Sequence, residues 1–172
     1  MLRQRFLVLL PAVVLMACDQ ASTTAPLTAV PAPPPVAPAV LEYTGVIENS
    51  LGDLDPLYLR VPGGPRIRLA GGETARLARV IGAEVSVRGT LDAIDGMIVE
   101  AFLVVSVGGR AAADGVLVKV GDDYAIRLLI DGSMRLLVNP PDELKGHVGE
   151  RVWVTGPDDT APLAYGVIGG TT

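Results

Sequence analysis

The sequence predicts an all-β protein made of two tandem five-stranded units, each with one short helix. Two observations carry this. Apolar and polar residues alternate over short runs broken by Gly, Pro, Asn and Asp, and those runs recur as an internal repeat. Residues 57–89 lie on 124–156 without a gap, which brings Arg60 onto Arg127, Arg68 onto Arg135 and Leu77 onto Leu144. Gly82, Val85, Val87 and Gly89 fall on Gly149, Val152, Val154 and Gly156 in the same register. Other positions exchange apolar for apolar: Leu59 with Ile126, Ile67 with Met134, Leu69 with Leu136, Ile81 with Val148. Upstream, Gly45-Val46-Ile47 matches Gly115-Val116-Leu117 once one loop is three residues shorter. So many matches at one register point to duplication of a small unit.

Each unit shows the same order of signals. A first strand (43–48, 115–120) enters a turn rich in Gly and Asp, followed by a second strand (57–61, 124–130) and a third (66–70, 134–138). A short helix or turn comes next, at 73–80 and 141–147. Pro140-Pro141-Asp142 suits a helix start, because proline lacks the N–H that a first turn leaves unbonded. The fourth strand carries Gly-x-x-Val-x-Val-x-Gly in both copies, and a fifth covers 97–107 or 163–168. The expected domains are 40–109 and 110–172. Units of about 60 residues are marginal alone, which favours packing of one on the other.

This order, with a valine-rich fourth strand between glycines, resembles the OB-fold. It is most similar to the small OB-like domains of bacterial envelope proteins. The resemblance covers 43–107 and 113–169 and implies two tandem five-stranded OB-like barrels, with Val85, Val87, Val152 and Val154 filling the interiors. A pair of SH3-like barrels, or one sandwich built from both repeats, would use the same strands.

The N-terminal segment has a different character. Arg3 and Arg5 precede an apolar run from Phe6 to Leu15, which ends in Leu15-Met16-Ala17-Cys18. The run is too short to cross a bilayer, which needs about 20 residues, and Pro11 interrupts it. Residues 1–17 resemble a bacterial lipoprotein signal peptide with its lipobox. The resemblance implies cleavage before Cys18 and acylation of that residue, palmitate among the acyl groups. An ordinary secretory leader fits the charge and the apolar run equally well. A single cysteine directly after a small residue favours lipidation. Acyl chains contribute about 0.8 kcal/mol per buried CH₂, so several of them would hold the protein on a membrane. The implied location is the bacterial cell envelope, lipid-anchored and facing the periplasm. Asp19 resembles the signal that retains lipoproteins on the inner membrane.

Residues 18–39 then read as a tether rich in Pro, Ala and Thr. Its prolines bias it towards extended polyproline II, at about 3.1 Å per residue. A proline-rich ligand for another domain is the sharper reading, but no aromatic or charged residues flank the prolines.

Charge and composition narrow the function. The formal net charge is −5, and loss of Arg3 and Arg5 with the leader would make it −7. An acidic protein is a poor partner for nucleic acid or anionic lipid headgroups. One cysteine forms no disulfide within a chain, and acylated it supplies no thiol. The single histidine, His147, has Val80 as its counterpart in the first repeat, so it reads as structural rather than catalytic. The pairs Asp53/Asp55, Asp92/Asp95, Asp122/Asp123 and Asp158/Asp159 sit in expected hairpin turns and lack calcium-loop spacing. The Gly-Gly pairs lack a phosphate-loop lysine, and no Cys/His cluster offers a metal site. The expectation is a protein that is not an enzyme and takes no cofactor or metal.

The repeated arginines are the candidate ligand surface. Alternation places Arg60, Arg66 and Arg68 on the outer face of strands two and three, with Arg127 and Arg135 as their counterparts. That face is the usual ligand surface of the OB-fold. Here it would suit an anionic small ligand or an envelope protein; the plainer reading is a solvated face with weak ion pairs. Trp153 lies between Val152 and Val154 and so faces outward, as a ligand contact or as a plug between the units. Single-stranded nucleic acid is not expected, since the chain has few aromatic residues for stacking. The leading expectation is a non-catalytic binding or adaptor module; the alternative is a purely structural or assembly lipoprotein.

Overall fold

A computed structural model describes residues 39–50, 53–92 and 96–170, with the backbone alone at 53–55. The leader, Cys18 and the tether up to residue 38 lie outside the described residues. The fold is mostly antiparallel β-sheet, as the alternation predicts. The first repeat supplies β1 (Val40–Ser50), β2 (Asp53–Arg60), β3 (Arg66–Ala70), β4 (Glu84–Leu91) and β5 (Gly96–Val107). The second supplies β6 (Arg110–Val120), β7 (Asp123–Leu128), β8 (Met134–Leu137), β9 (Glu150–Thr155) and β10 (Ala164–Gly170). A helical turn stands before the fourth strand of each copy: α1 (Thr74–Leu77), extended by a 3₁₀ turn at Ala78–Val80, and α2 (Asp142–Lys145). Among the described residues no helix is long and apolar enough to cross a membrane.

The pairings of the first repeat close on themselves. β1 is antiparallel to β2 and β4, β2 to β3, and β4 to β5. The circuit is completed by β3 running parallel to β5, Arg68 and Ala70 facing Gly96 and Ile98. In the second repeat β6 pairs with β7 and β9, β7 with β8, and β9 with β10. Among the described residues β8 and β10 do not pair. β10 has 7 residues where β5 has 12. Pro157 and Pro162, in the connection before β10, have no N–H to donate to a longer ladder. A short β5–β6 ladder, Ser106 with Ala111 and Val107 with Arg110, joins the repeats.

The two copies share their central register. Val46 faces Arg60 and Glu84; Val116 faces Arg127 and Arg151. The glycine before each valine is required by close approach. A Cβ on Gly45 would lie 2.5 Å from the Arg60 carbonyl oxygen, and one on Gly115 would strike that of Arg127. Val85, Val87, Val152 and Val154 all point inward and are buried. The first core gathers Ile47, Leu59, Leu77 and Met97 around its valines; the second gathers Leu117, Ile126 and Leu144. Ile168 of β10 belongs to the first core, and Ala112 and Trp153 pack against it.

β8 departs from the repeat. Leu59 faces Ile67 in the first copy, but its counterpart Ile126 faces Arg135 rather than Met134. The slip is taken up in the turn: residues 61–65 separate the paired Arg60 and Arg66, while 128–133 separate Arg127 and Met134. The longer turn is held by Gly132 N–H to the Leu128 carbonyl and by Ser133 N–H to Asp131 Oδ1, both 2.9 Å. It also ends β7 at Leu128, short of the expected 130. A one-residue slip turns every side chain to the opposite face. Met134 and Leu136, expected inward like Ile67 and Leu69, are therefore 49% and 60% exposed. Arg135, expected outward, turns to the side of Ile126 and is largely covered.

Candidate functional site

The outer face of the first repeat carries the expected arginines in two cross-strand rows. Val46, Arg60 and Arg66 form one, and Glu48, Tyr58 and Arg68 the other. Glu48 holds the first two: Arg60 Nε donates to its Oε1, and Arg66 Nε lies 3.7 Å from Oε2. The Arg66 guanidinium also stacks 3.8 Å above the Tyr58 ring. These ion pairs are exposed, so each contributes little stability. Arg68 is exposed and has no partner among the described residues.

The second repeat does not reproduce this face. Arg127 is exposed there, but Val118 and Leu136 fill the row that Glu48 and Arg68 occupy in the first copy. Arg135 bridges a gap instead. Its Nη2 donates to the Gly156 carbonyl at 2.6 Å. Its Nε lies 2.8 Å from Asp158 Oδ1, close enough for an ion pair but not aligned for a hydrogen bond. Where β3 meets β5 through backbone, β8 is thus tied by this one side chain to the β9–β10 connection.

Trp153 turns away from the second core and packs against the first, half-buried, with its indole over Gly166 on β10. It plugs the junction of the repeats. Beside it on the same face of β9, Arg151 is buried. Its Nε and Nη2 donate to Asp114 Oδ1 and Oδ2 on β6, and Nη2 also donates to the Phe102 carbonyl on β5. The guanidinium carbon stacks 4.1 Å from the Phe102 ring centre. Asp114 Oδ2 accepts in turn from Val104 N–H at 2.7 Å. Sequence reasoning missed this joint. Its signal was the asymmetry of the repeat, since Arg151 and Asp114 replace Glu84 and Thr44 of the first copy.

A groove opens over the joint. Its larger part, about 470 Å³, is lined by Glu42, Glu73, Arg76, Arg88, Glu100 and Arg151 among others. A second part of about 390 Å³ shares Glu42, Ser86 and Leu103 with the first and has an apolar wall of Leu128 and Ile130. Most of its charges are engaged. Arg76 bonds Glu73 Oε1 at 2.9 Å and the Gly170 carbonyl at 2.8 Å, and Glu42 accepts from Ser86 Oγ. Arg88 is exposed and has no partner among the described residues, although it faces Glu42 across the β1–β4 ladder. None of Arg60, Arg66, Arg68, Arg127 or Arg135 lines either part.

His147 sits at the turn into β9, its Nδ1 3.2 Å from Glu150 Oε1. Among the described residues no three His, Cys, Asp or Glu side chains gather as metal ligands; Asp95 lies outside them. No protein family, curated protein or solved structure matches the chain.

Proposed function

We propose that the chain is a non-catalytic binding module of the bacterial envelope, held to a membrane by lipid on Cys18 and composed of two tandem OB-like barrels. The observation that carries the binding reading is the groove at the junction of the repeats. Its volume is in the range of small-ligand sites, its wall is part charged and part apolar, and Arg88 stands in it with no partner among the described residues. Arg88 suits an anionic group, and Leu128 and Ile130 an apolar body beside it. The strand order of the first repeat supports the barrel reading, with the first strand paired to both second and fourth and the third parallel to the fifth. The second repeat is the same unit left open between its third and fifth strands.

The outer arginines are the weaker ligand surface, because Glu48 already neutralises Arg60 and approaches Arg66. A purely structural lipoprotein is the second reading, favoured by the buried Arg151–Asp114 joint, which fixes β5 of one repeat to β6 and β9 of the other.

Thermal unfolding of the full chain against phosphorylated molecules, glycans and acidic peptides tests the binding reading. A compound at 100 times its Kd stabilises by about 2.7 kcal/mol. The expected result is a hit abolished by Arg88→Glu and retained in Arg60→Glu/Arg68→Glu. The reverse pattern moves the site to the outer face. No hit leaves the structural reading. Labelling with a fatty-acid analogue in a bacterial host, lost on Cys18→Ser, tests the anchor.

A further inference from the structure

We propose that the groove selects a short zwitterionic peptide with an apolar side chain, its carboxylate on Arg88 and its ammonium on Glu42. This rests on the groove being the ligand site, and it adds the charge of the ligand. The groove floor includes the outer face of β1, β4 and β5, where Arg88 faces Glu42 on one side and Ala101 on the other. Arg88 pairs with Ala101 but Gly89 with Val99, so Glu100 is an extra residue, bulged outward to line the groove beside Ala101. Bulges re-aim side chains in this way. Arg88 therefore stands between a carboxylate on each neighbouring strand.

The charges left over describe the ligand. Glu73 is taken by Arg76 and Arg151 by Asp114. Glu42 accepts from Ser86 Oγ, and neither Arg88 nor Glu100 has a partner among the described residues. A purely anionic ligand on Arg88 would lie against two carboxylates; an ammonium beside its own carboxylate relieves that repulsion. The fold does not require these charges, because the cross-strand pair of the second repeat that matches Glu42 and Arg88 is Ala112 and Thr155. Opposed residues on paired strands have Cβ atoms about 5 Å apart, which suits the two ends of a very short peptide. Glu42 rather than Glu100 takes the ammonium because it lines both parts of the groove. Beside it, Leu129 and Ile130 overhang the floor while 43% and 74% exposed. Their turn is fixed by Leu129 N–H donating to the Asp114 carbonyl at 3.0 Å, so the apolar wall is built before a ligand arrives.

The test is calorimetric titration of the full chain in mild detergent with the dipeptide Leu-Leu and two blocked forms. The N-acetylated form keeps only the carboxylate, and the C-amidated form keeps only the ammonium. Each blocked form should bind the wild type at least about tenfold more weakly than Leu-Leu, the loss of one hydrogen-bonded charge. Arg88→Gln should bind Leu-Leu and its amide alike, and Glu42→Gln should bind Leu-Leu and its N-acetylated form alike. An N-acetylated form that binds the wild type as tightly as Leu-Leu overturns the proposal, and leaves the groove an anion site where Arg88→Gln abolishes it. Failure of all three peptides also overturns it; an Arg88-dependent hit from the phosphorylated molecules or glycans would then keep the groove reading, and no hit would end both. Selectivity that survives in both variants overturns it by moving the site out of the groove. The comparison of free and blocked peptides on the wild type stands even if a variant fails to fold.

Discussion

Arg151 and Asp114 form a forked, buried ion pair, Nε to Oδ1 at 2.9 Å and Nη2 to Oδ2 at 2.6 Å, and both residues also bond the backbone of β5. Their side chains are 9% and 3% exposed. Two parallel hydrogen bonds fix the guanidinium plane, while Nη2 makes a further bond to the Phe102 carbonyl and Oδ2 accepts one from the Val104 N–H. The pair therefore joins β6 and β9 to the neighbouring repeat.

Breaking that pair from one side leaves a buried charge without a partner. Asp114→Ala or Arg151→Ala should each cost about 3–5 kcal/mol in chemical unfolding. The double variant Asp114→Leu/Arg151→Met, of similar volume and without charge, should return close to wild-type stability. A double variant no more stable than either single one would show that the backbone bonds to β5, rather than the charges, are what matters.

Trp153 and Gly166 are cross-strand partners, and the indole lies where a side chain on residue 166 would be. A Cβ there would fall 2.5 Å from Trp153 Nε1. Gly166→Ala should displace the ring at a cost of about 1–3 kcal/mol. Because the chain has one tryptophan, its emission should move to longer wavelength as the ring enters water. Unchanged emission and stability would place the ring elsewhere.

Two limbs of the pH–stability curve follow from α2. Asp142 is held below its ordinary carboxylate value by its hydrogen bond and charge attraction to Lys145, and the same bond raises Lys145. A lowered carboxylate stabilises the fold above its unfolded pKa, and that stability is lost as pH falls through the folded value. Asp142→Asn should flatten the acid limb below about pH 4. Tyr165 is raised by donating its hydroxyl to Glu143 Oε2. Its contribution is complete below its unfolded pKa and lost as pH rises through the folded one, so Tyr165→Phe should flatten the alkaline limb above about pH 10. Lys145 titrates in the same direction, so Tyr165→Phe is read against Lys145→Met. Thermal unfolding across pH reads all three.

Much of the fold was legible because it rests on near neighbours in sequence. The valines at 85, 87, 152 and 154 reveal their face by alternating with polar residues, and all four are buried. Gly45 and Gly115 were visible as repeat anchors, though only the strand crossing shows what each avoids. The candidate site was less legible. Arg60 and Arg66 were recognised, but Glu48, which engages them, is remote in sequence from both. The groove and the Arg151–Asp114 joint belong to no single repeat, so the search for resemblance between copies passed over them.

Taken by itself, the sequence determined the all-β class, the order of elements and the inward face of most strands, since a period of two is a local property of the chain. Three matters waited for the tertiary structure: the slip of β8, the open edge between β8 and β10, and the insertion of Ile168 and Trp153 against the first core. Each depends on a turn length, a strand length or a packing choice between distant segments. A pairing slip of one residue, taken up in the β7–β8 turn, turned Arg135 from a surface arginine into a strut, and left Met134 and Leu136 facing solvent.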